Sequence, residues 1–352
     1  MNRNLRNIVL VAGLLVLGIA IWETQFRMNE KLLTFERTPE GIMGTSCRLS
    51  VVTDYRDRDK AKKILDKAEY RIRYIESVAS NWIDESEISL FNTEKIETPF
   101  EFTHDNWAVL RYGAQAFKET NGAFDITCRP LIELWKAAGR KGVLPTEAEI
   151  QTARDESSWD QLEFGENQTL AKKAPGVRVD LGGIAKGYAI DQAVQAMIDL
   201  GAKGGLVDIG GDLRCFGKSS RGDGCWTVDI KNPFRDGSLA SLDVCNGESV
   251  CTSGDYARYV EIEGKHYSHI INPVTGYPTE EVPSVTVIAG EAMVADVWAT
   301  ALSVMGPDGM QFLPDGVEAL MIYNDHGSPE VFRSESFPVE VSDLAINSDS
   351  EN

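Results

Sequence analysis

The chain has 352 residues, of which 43% are hydrophobic and 25% are charged, and its formal net charge at pH 7 is −19. This length and composition allow a sizeable core, and they exclude a largely disordered chain and a protein with many membrane spans. The negative charge argues against a surface for nucleic acid or anionic membranes, so an anionic nucleotide ligand would need a lysine, a helix N-terminus or a metal ion.

The N-terminus has the pattern of an export signal. Arg3 and Arg6 precede an unbroken apolar run from Ile8 to Trp22. This run of 15 residues is short for a membrane-spanning helix but suits the apolar region of a signal peptide. We therefore predict that residues 1–23 are a signal peptide or an uncleaved signal anchor, with the rest of the chain outside the cytoplasm. The alternative is a buried N-terminal helix.

The body mixes helices and strands without a regular βαβ repeat, which predicts an α+β fold. Hydrophobic periodicity and glycine or proline punctuation give the boundaries. The predicted helices are 59–78, 104–122, 145–155, 184–200 and 293–305. The predicted strands are 47–55, 177–181, 204–211, 213–217, 225–233, 284–290, 319–324 and 330–334. No linker interrupts the body, so we predict one mixed α/β domain over residues 24–340 and an acidic disordered tail at 341–352.

The six cysteines show no C-x-x-C spacing, which argues against zinc binding and against a dithiol redox motif. In an oxidising compartment, a disulfide between Cys215 and Cys225 would close a hairpin loop. The alternative is that the cysteines are small buried apolar residues.

The segment VDLGGIAKGYAID, from Val179 to Asp191, is the most informative local pattern. It predicts a short strand, a Gly-Gly break and a helix with Lys186 in its first turn. The free amides and the dipole at a helix N-terminus favour the phosphates of a ligand. The spacing fits neither the Rossmann nor the P-loop motif, and a plain strand-to-helix turn is the alternative.

Asp296 and Thr300 are four residues apart on an apolar predicted helix, so their side chains project from one face. A carboxylate and a hydroxyl are hard oxygen donors that suit Mg²⁺, and a backbone carbonyl of the Gly182-Gly183 turn would supply a third. The alternative is that Thr300 bonds to its own helix and that Asp296 is a capping or surface acid.

His269 precedes the turn at Asn272-Pro273 and is one of only four histidines. A histidine is the side chain best suited to accept a proton near neutral pH, which makes His269 a candidate base. A hydrogen-bonded structural histidine is the alternative.

Other residues are candidates for ligand contacts. Phe124 and Asp125 follow a helix-ending glycine and suit a stacked heterocycle that is bonded at its edge, although core packing explains Phe124 as well. Trp82 stands in a polar loop, where an aromatic seldom has a packing role. Thr252 lies in a predicted turn at 252–255 whose hydroxyls and amides suit a phosphate or a ring edge; a simple Ser/Thr turn fits equally.

Eight segments in chain order together resemble the ApbE family of FAD:protein FMN transferases. They are MGTSC at Met43, SNWIDESEISLFN at Ser80, GAFDIT at Gly122, DLGGIAKGYAID at Asp180, LVDIGGDLRCFG at Leu206, TSGDY at Thr252, HIINPVTGYP at His269 and ADVWATALSVMG at Ala295. Each segment alone is weak evidence, but eight in order from Met43 to Gly306 are specific.

The resemblance implies a Mg²⁺-dependent enzyme with FAD as substrate. It would cleave the FAD pyrophosphate, release AMP and attach FMN through a phosphoester to a threonine or serine of an exported acceptor. The expected acceptors are flavoprotein subunits of membrane electron-transport complexes. The expected location is the periplasmic side of the inner membrane, or the periplasm if the signal is cleaved.

The resemblance also implies roles for individual residues. The family's flavin-binding positions correspond to Met43, Trp82, Ala123, Phe124, Asp125, Asp180, Lys186 and Ile270. Its metal-binding positions correspond to Gly183 (through the carbonyl), Asp296 and Thr300. His269 matches the histidine proposed as the base, with Lys186 and Asp296 as the other catalytic candidates. Two departures stand out: Asn272 replaces the usual aspartate, and Trp82 replaces a common tyrosine.

Two other functions stay open at this point. The same site with water in place of the acceptor hydroxyl would make a Mg²⁺-dependent FAD pyrophosphatase. A non-catalytic exported FAD-binding protein is the other alternative, although it has no evident need for the pair Asp296 and Thr300.

Overall fold

A computed structural model describes residues 32–219, 224–245, 247–254, 259–325 and 328–339. The predicted export segment at 1–23 and the predicted tail at 341–352 lie outside these residues, as does Asp255. Within the part of the chain that the structure describes, no helix is both long and apolar enough to cross a membrane.

The described residues form seven α-helices, two short 3₁₀ helices and fifteen strands. The helices are α1 (Arg58–Ala79), α2 (Glu87–Thr93), α3 (His104–Glu119), α4 (Arg129–Lys141), α5 (Glu147–Glu156), α6 (Ala185–Asp199) and α7 (Ala292–Met305). The 3₁₀ helices are Trp159–Gln161 and Pro307–Phe312. The strands are β1 (Leu32–Arg37), β2 (Cys47–Asp54), β3 (Phe100–Glu101), β4 (Leu162–Phe164), β5 (Thr169–Lys172), β6 (Gly204–Ile209), β7 (Asp212–Gly217), β8 (Trp226–Lys231), β9 (Ser238–Val244), β10 (Ser249–Gly254), β11 (Tyr259–Ile262), β12 (Lys265–Ser268), β13 (Ser284–Ala289), β14 (Glu318–Asp325) and β15 (Ser328–Arg333).

An eight-stranded antiparallel sheet organises the fold, in the order β1-β2-β6-β7-β10-β13-β14-β15. Side chains alternate between its two faces, as the pleat of a strand requires. Cys251 pairs with Val287, and both belong to the core under the helices. Their neighbours Val250 and Ile288 pair with each other and belong to a second core on the opposite face.

Helices α1, α6 and α7 cover one face of this sheet, and the β8–β9 hairpin covers the other. Helix α6 approaches the start of α7 very closely at Gly187. A Cβ atom at Gly187 would lie 2.3 Å from the carbonyl oxygen of Ala292, so only glycine fits there. This close contact fixes the relative position of the two helices.

A third apolar cluster joins α4 and α5 to the β11–β12 hairpin. Trp135 of α4 packs against Tyr267 and Tyr277, with ring centroids 5.3 Å and 5.9 Å away. Its indole Nε1 donates a hydrogen bond to the carbonyl of Gly276 at 2.8 Å. The cluster therefore anchors the loop that follows β12 and carries His269.

The predicted helices and most predicted strands are confirmed, with boundaries that shift by a few residues. The strand predicted at 177–181 is wrong. Both backbone polar groups of Val179 bond to the side-chain amide of Asn92, at 2.7 Å and 2.8 Å, instead of to a neighbouring strand. The turn predicted from Thr252 is also wrong, because residues 252–254 continue β10, which pairs with β13.

Of the two alternatives for Cys215, the disulfide with Cys225 does not form, and Cys215 is a buried free cysteine. Cys225 bonds to Cys245, because β8 and β9 pair as a hairpin with Trp226 opposite Val244. Cys215 lies on β7, and its thiol donates a hydrogen bond to the carbonyl of Cys245 at 2.9 Å. Burial raises the pKa of Cys215 to about 12, which keeps this thiol protonated.

Candidate active site

Asp296 is a buried acid at the contact between α6 and α7, with only 3% of its surface exposed. Its Oδ2 accepts a hydrogen bond from the backbone amide of Gly187 at 3.0 Å. Burial raises the pKa of Asp296 to about 6, although the positive charge of Lys186 acts against the rise. Asp296 is therefore neither a surface acid nor a cap of its own helix.

Lys186, in the first turn of α6, forms an ion pair with Asp212 at the start of β7. Burial favours the neutral amine, but the carboxylates of Asp212 and Asp296 outweigh it and raise the pKa of Lys186, which stays charged. One ammonium then faces two carboxylates. With both acids ionised, the cluster has one net negative charge, which a divalent cation would compensate.

The Gly-Gly turn lies directly against α7. A Cβ atom at Gly183 would lie 3.1 Å from Oγ1 of Thr300 and 3.2 Å from a ring carbon of Phe124. The structure thus brings Gly183, Thr300 and the flavin candidate Phe124 together, with Asp296 one helical turn before Thr300.

This donor set fits Mg²⁺ and does not suit a softer metal. A carboxylate, a hydroxyl and a backbone carbonyl are hard oxygen donors, which Mg²⁺ prefers and completes with water and phosphate oxygens. Among the described residues, no group of three or more His, Cys, Asp or Glu side chains is placed to hold a metal ion. A cation at Asp296 would therefore need the hydroxyl and carbonyl donors.

Thr252 and Ser253 lie on opposite faces of β10. The hydroxyl of Thr252 bonds to that of Thr286 at 3.0 Å, while its backbone amide donates to Oδ1 of Asp212 at 2.9 Å. The hydroxyl of Ser253 lies 3.5 Å from Oγ1 of Thr300. Ser253, rather than the Thr252 side chain, therefore faces the candidate metal donors.

Asp180 is held by two hydrogen bonds just before the Gly-Gly turn. Its Oδ1 accepts from the amide of Gly182 at 2.8 Å, and its Oδ2 accepts from Nη1 of Arg129 at 2.9 Å. Arg129 opens α4, so this ion pair connects the turn to that helix.

The flavin candidates Ala123, Phe124 and Asp125 form a buried turn after α3. The amide of Phe124 donates to Oγ1 of Thr120 at 3.0 Å. Oδ1 of Asp125 accepts from the amide and from the hydroxyl of Thr127, each at 2.7 Å. Burial raises the pKa of Asp125 to about 6 in spite of these bonds.

Trp82 and Met43 are both anchored near the end of α1. The Trp82 side chain is 81% exposed, and Nζ of Lys136 lies 4.7 Å from the centre of its ring. Met43 has a φ of +47°, and its amide donates to Oε1 of Glu76, in the last turn of α1, at 2.8 Å. An exposed indole offers a flat surface on which an aromatic ring can stack.

His269 is exposed directly after β12, and the next residue, Ile270, is buried. The loop that follows is ordered by Asn272, whose Oδ1 accepts from the amides of Val274 at 2.9 Å and Thr275 at 3.2 Å. This turn needs only a side-chain oxygen. Asparagine can therefore replace the usual aspartate without loss of the loop.

Helix α4 connects the histidine loop to the rest of the site. Its first residue, Arg129, bonds to Asp180, and its Trp135 bonds to the carbonyl of Gly276 in the loop after His269. The candidate base and the Gly-Gly turn thus depend on one rigid element.

The ApbE family model matches residues 43–321. The chain belongs to the ApbE family. The FAD:protein FMN transferase of Haemophilus influenzae is 30% identical over 308 residues, which cover 85% of this chain and 88% of that relative. The FAD:protein FMN transferase of Klebsiella pneumoniae is 33% identical over 276 residues, which cover 76% of this chain and 78% of that relative.

Solved ApbE structures have the same mixed α/β fold. The ApbE protein of Thermotoga maritima has a TM-score of 0.77 and 31% identity, over 86% of this chain and 97% of that protein. The flavin transferase ApbE from Vibrio cholerae has a TM-score of 0.75 and 28% identity, over 87% of this chain and 98% of that protein. The predicted fold class and the resemblance to the ApbE family are therefore confirmed.

Three residues of the site's hydrogen-bond network match no functional pattern in the sequence, namely Asp212, Arg129 and Asn92. For Asp212 the sequence does offer an indication of a cationic partner, since a carboxylate in an apolar strand is costly to bury unless a cation pairs with it. For Arg129 and Asn92 the local sequence offers no such indication, because their partners, Asp180 and Val179, lie 51 and 87 positions away along the chain.

Proposed function

We propose that the chain transfers FMN from FAD to a threonine or serine hydroxyl of an exported acceptor flavoprotein, in a Mg²⁺-dependent reaction that releases AMP. The observation that carries this proposal is the α6–α7 junction. There the oxygen donors Gly183, Asp296 and Thr300 lie beside the charged Lys186. Family membership adds to it, because similar members are FAD:protein FMN transferases.

Gly183, Asp296 and Thr300 would hold the Mg²⁺ ion. When bound, the ion would neutralise charge on the pyrophosphate, which is the main requirement of phosphoryl transfer. Lys186 adds a positive charge near the N-terminus of α6, where the helix dipole also favours the negative charge of a phosphate.

His269 would take the proton from the acceptor hydroxyl. The hydroxyl oxygen then forms a bond to the phosphorus on the FMN side, and the bond from that phosphorus to the bridging oxygen breaks. AMP leaves with the bridging oxygen, and FMN stays on the acceptor as a phosphoester. The exposed position of His269 suits this role, because the acceptor is a protein that arrives from solvent.

The remaining residues would bind FAD. Trp82 would stack against the isoalloxazine ring, and Asp125 would accept a hydrogen bond at the ring edge, with Phe124 packed beneath the Gly-Gly turn. Met43, Ala123, Asp180, Thr252 and Ile270 complete the proposed set.

We also propose that the body acts on the periplasmic side of the inner membrane, or in the periplasm if the signal is cleaved. The N-terminal apolar run supports this location, as does the Cys225–Cys245 disulfide, since disulfides persist mainly in oxidising compartments. Flavoprotein subunits of membrane electron-transport complexes are the proposed acceptors.

Chromatographic product analysis tests this function. The protein would be incubated with FAD and Mg²⁺, with and without an acceptor domain. Transfer predicts that AMP release requires acceptor and that little free FMN accumulates. Equal amounts of free FMN and AMP without acceptor would instead indicate a pyrophosphatase. FAD that stays intact in every mixture would indicate a flavin-binding protein.

A further inference from the structure

The side chain of Asn92, near the end of α2, takes the place of a strand partner for Val179. Its Nδ2 donates to the Val179 carbonyl at 2.8 Å, and its Oδ1 accepts from the Val179 amide at 2.7 Å. A primary amide is the side-chain group that can satisfy both backbone groups at once. Val179 directly precedes Asp180 and the Gly-Gly turn.

The same amide reaches the loop that carries Trp82. Nδ2 of Asn92 also donates to Oδ1 of Asn81 at 2.8 Å. Asn81 directly precedes Trp82, which is 81% exposed and so gains little support from packing. One side chain therefore links the two segments that carry the indole and the Gly-Gly turn, although they are almost 100 positions apart in the sequence.

Asn92 is itself held in place from the other side. Its backbone carbonyl accepts a hydrogen bond from Nζ of Lys172 at 2.9 Å, and Lys172 is only 2% exposed. Asn92 thus lies between β5, the Trp82 loop and the segment before Asp180, and all the hydrogen-bonding groups of its side chain are occupied.

We propose that Asn92 is a positioning residue for the flavin site, which sets the spacing between Trp82 and the Asp180–Gly183 segment. It would not touch FAD, and it would act through Asn81 and Val179. This inference rests on the proposed function, because it assumes that both segments bind the same FAD molecule.

The test measures FAD affinity by flavin fluorescence in EDTA for the wild-type protein, Asn92→Ala and Asn81→Ala. Without Asn92 the two segments lose their shared anchor and must be ordered when FAD binds, so Asn92→Ala should weaken FAD binding at least about tenfold, which corresponds to about 1.4 kcal/mol. Asn81→Ala removes only the link to the Trp82 loop and should have a smaller effect. Asn81 is only partly buried, so this variant keeps the test valid if Asn92→Ala does not fold.

Asn106→Ala is the matched control. Asn106 is buried, and its Nδ2 donates to the Val78 carbonyl at 2.9 Å and to Oε2 of Glu87 at 2.8 Å. It links α1 to α2 but touches neither site segment. A comparable loss of thermal stability with unchanged FAD affinity is expected for this variant.

A double-mutant cycle with Trp82→Ala separates positioning from general stabilisation. If Asn92 acts by placing Trp82, then Trp82→Ala should cost less affinity in the Asn92→Ala background than in the wild type. Strictly additive effects, or an equal loss of affinity in Asn106→Ala, would overturn the inference. Coupled effects in a protein that binds FAD but transfers no FMN would uphold the inference and refute the proposed function alone.

Discussion

Asp296 is the only carboxylate among the three proposed metal donors, and its burial makes its charge costly without a cation. The amide of Gly187 and the ammonium of Lys186 offset that cost only in part, since the pKa of Asp296 is raised to about 6. A bound Mg²⁺ ion would supply the missing positive charge.

Asp296→Asn should therefore remove the Mg²⁺ dependence of transfer and lower the rate at least about 100-fold. The fold should survive, because a neutral amide costs less to bury than a carboxylate. The measurement is the rate of FMN transfer against Mg²⁺ concentration. Ser303→Ala, another buried polar position on α7, is the control. A wild-type Mg²⁺ response in Asp296→Asn would contradict the assignment.

The proposed role of His269 predicts a separation of binding from catalysis. His269→Gln should slow transfer by about 100-fold or more, the usual contribution of a general base, and leave FAD affinity unchanged. His266→Gln is the control, because His266 is also exposed and stacks on Tyr259. Weakened FAD binding in His269→Gln with a normal transfer rate would instead make His269 a binding residue.

Asp125 predicts a pH dependence of FAD binding. Burial raises its pKa from 3.8 to about 6, so the carboxylate is ionised at pH 7.5 and becomes protonated as the pH falls through 6. As a hydrogen-bond acceptor, it should bind FAD more tightly above that pH. The measurement is FAD affinity between pH 5 and 7.5 in EDTA, and Asp125→Asn should flatten the curve. Equal slopes in both proteins would exclude Asp125 as the titrating group.

The raised pKa of Asp125 has the opposite effect on folding stability, which falls as the pH rises. The folded pKa lies above the unfolded value, so Asp125 contributes stability that is fully present below about 3.8 and is lost as the pH rises through about 6. Asp125→Asn should therefore be more stable than the wild type near pH 8, which thermal unfolding would show.

At the scale of elements, most of the fold was predictable because apolar periodicity marks helices and strands directly. The β6, β13 and α7 segments are strongly apolar and were predicted within a few residues. The failures lie where a distant side chain replaces a strand partner, as Asn92 does for Val179. Such contacts leave no periodic signal in the local sequence.

A substitution at Gly187 tests whether α6 and α7 approach each other as closely as described. A Cβ there would also lie 2.6 Å from the Cα of Met293, so Gly187→Ala should lower the free energy of unfolding by about 1–3 kcal/mol. Gly290→Ala is the control, since nothing lies within 4 Å of a Cβ at that position. Chemical denaturation of both variants is the measurement. Equal stability of the two would mean that the helices do not meet as closely as described.

At the scale of the whole molecule, the eight-stranded sheet separates the candidate active site on one face from the β8–β9 hairpin on the other. Helix α7 and the Gly-Gly turn before α6 carry the candidate metal donors on one face, and the β8–β9 hairpin with its disulfide covers the other. The candidate residues were identifiable from the sequence through the family motifs. Their network was not, because Asp212, Arg129 and Asn92 act through long-range contacts.

This separation predicts that the disulfide matters for stability and not for catalysis. The bond joins residues 20 positions apart. Replacement of Cys225 and Cys245 by serine should lower stability by about 2–4 kcal/mol and preserve FAD affinity and transfer in the folded protein. Thermal unfolding and transfer assays check this. Loss of transfer in a folded double variant would connect the hairpin to the site.

The most direct test of FMN transfer is intact-protein mass spectrometry of exported flavoprotein domains incubated with this protein, FAD and Mg²⁺, beside an EDTA control. Metal-dependent transfer predicts a mass gain of one FMN on a domain that has an acceptor threonine or serine, and no gain in EDTA. The same gain in EDTA would contradict the metal site. Unmodified domains together with FAD split into free FMN and AMP would contradict transfer itself.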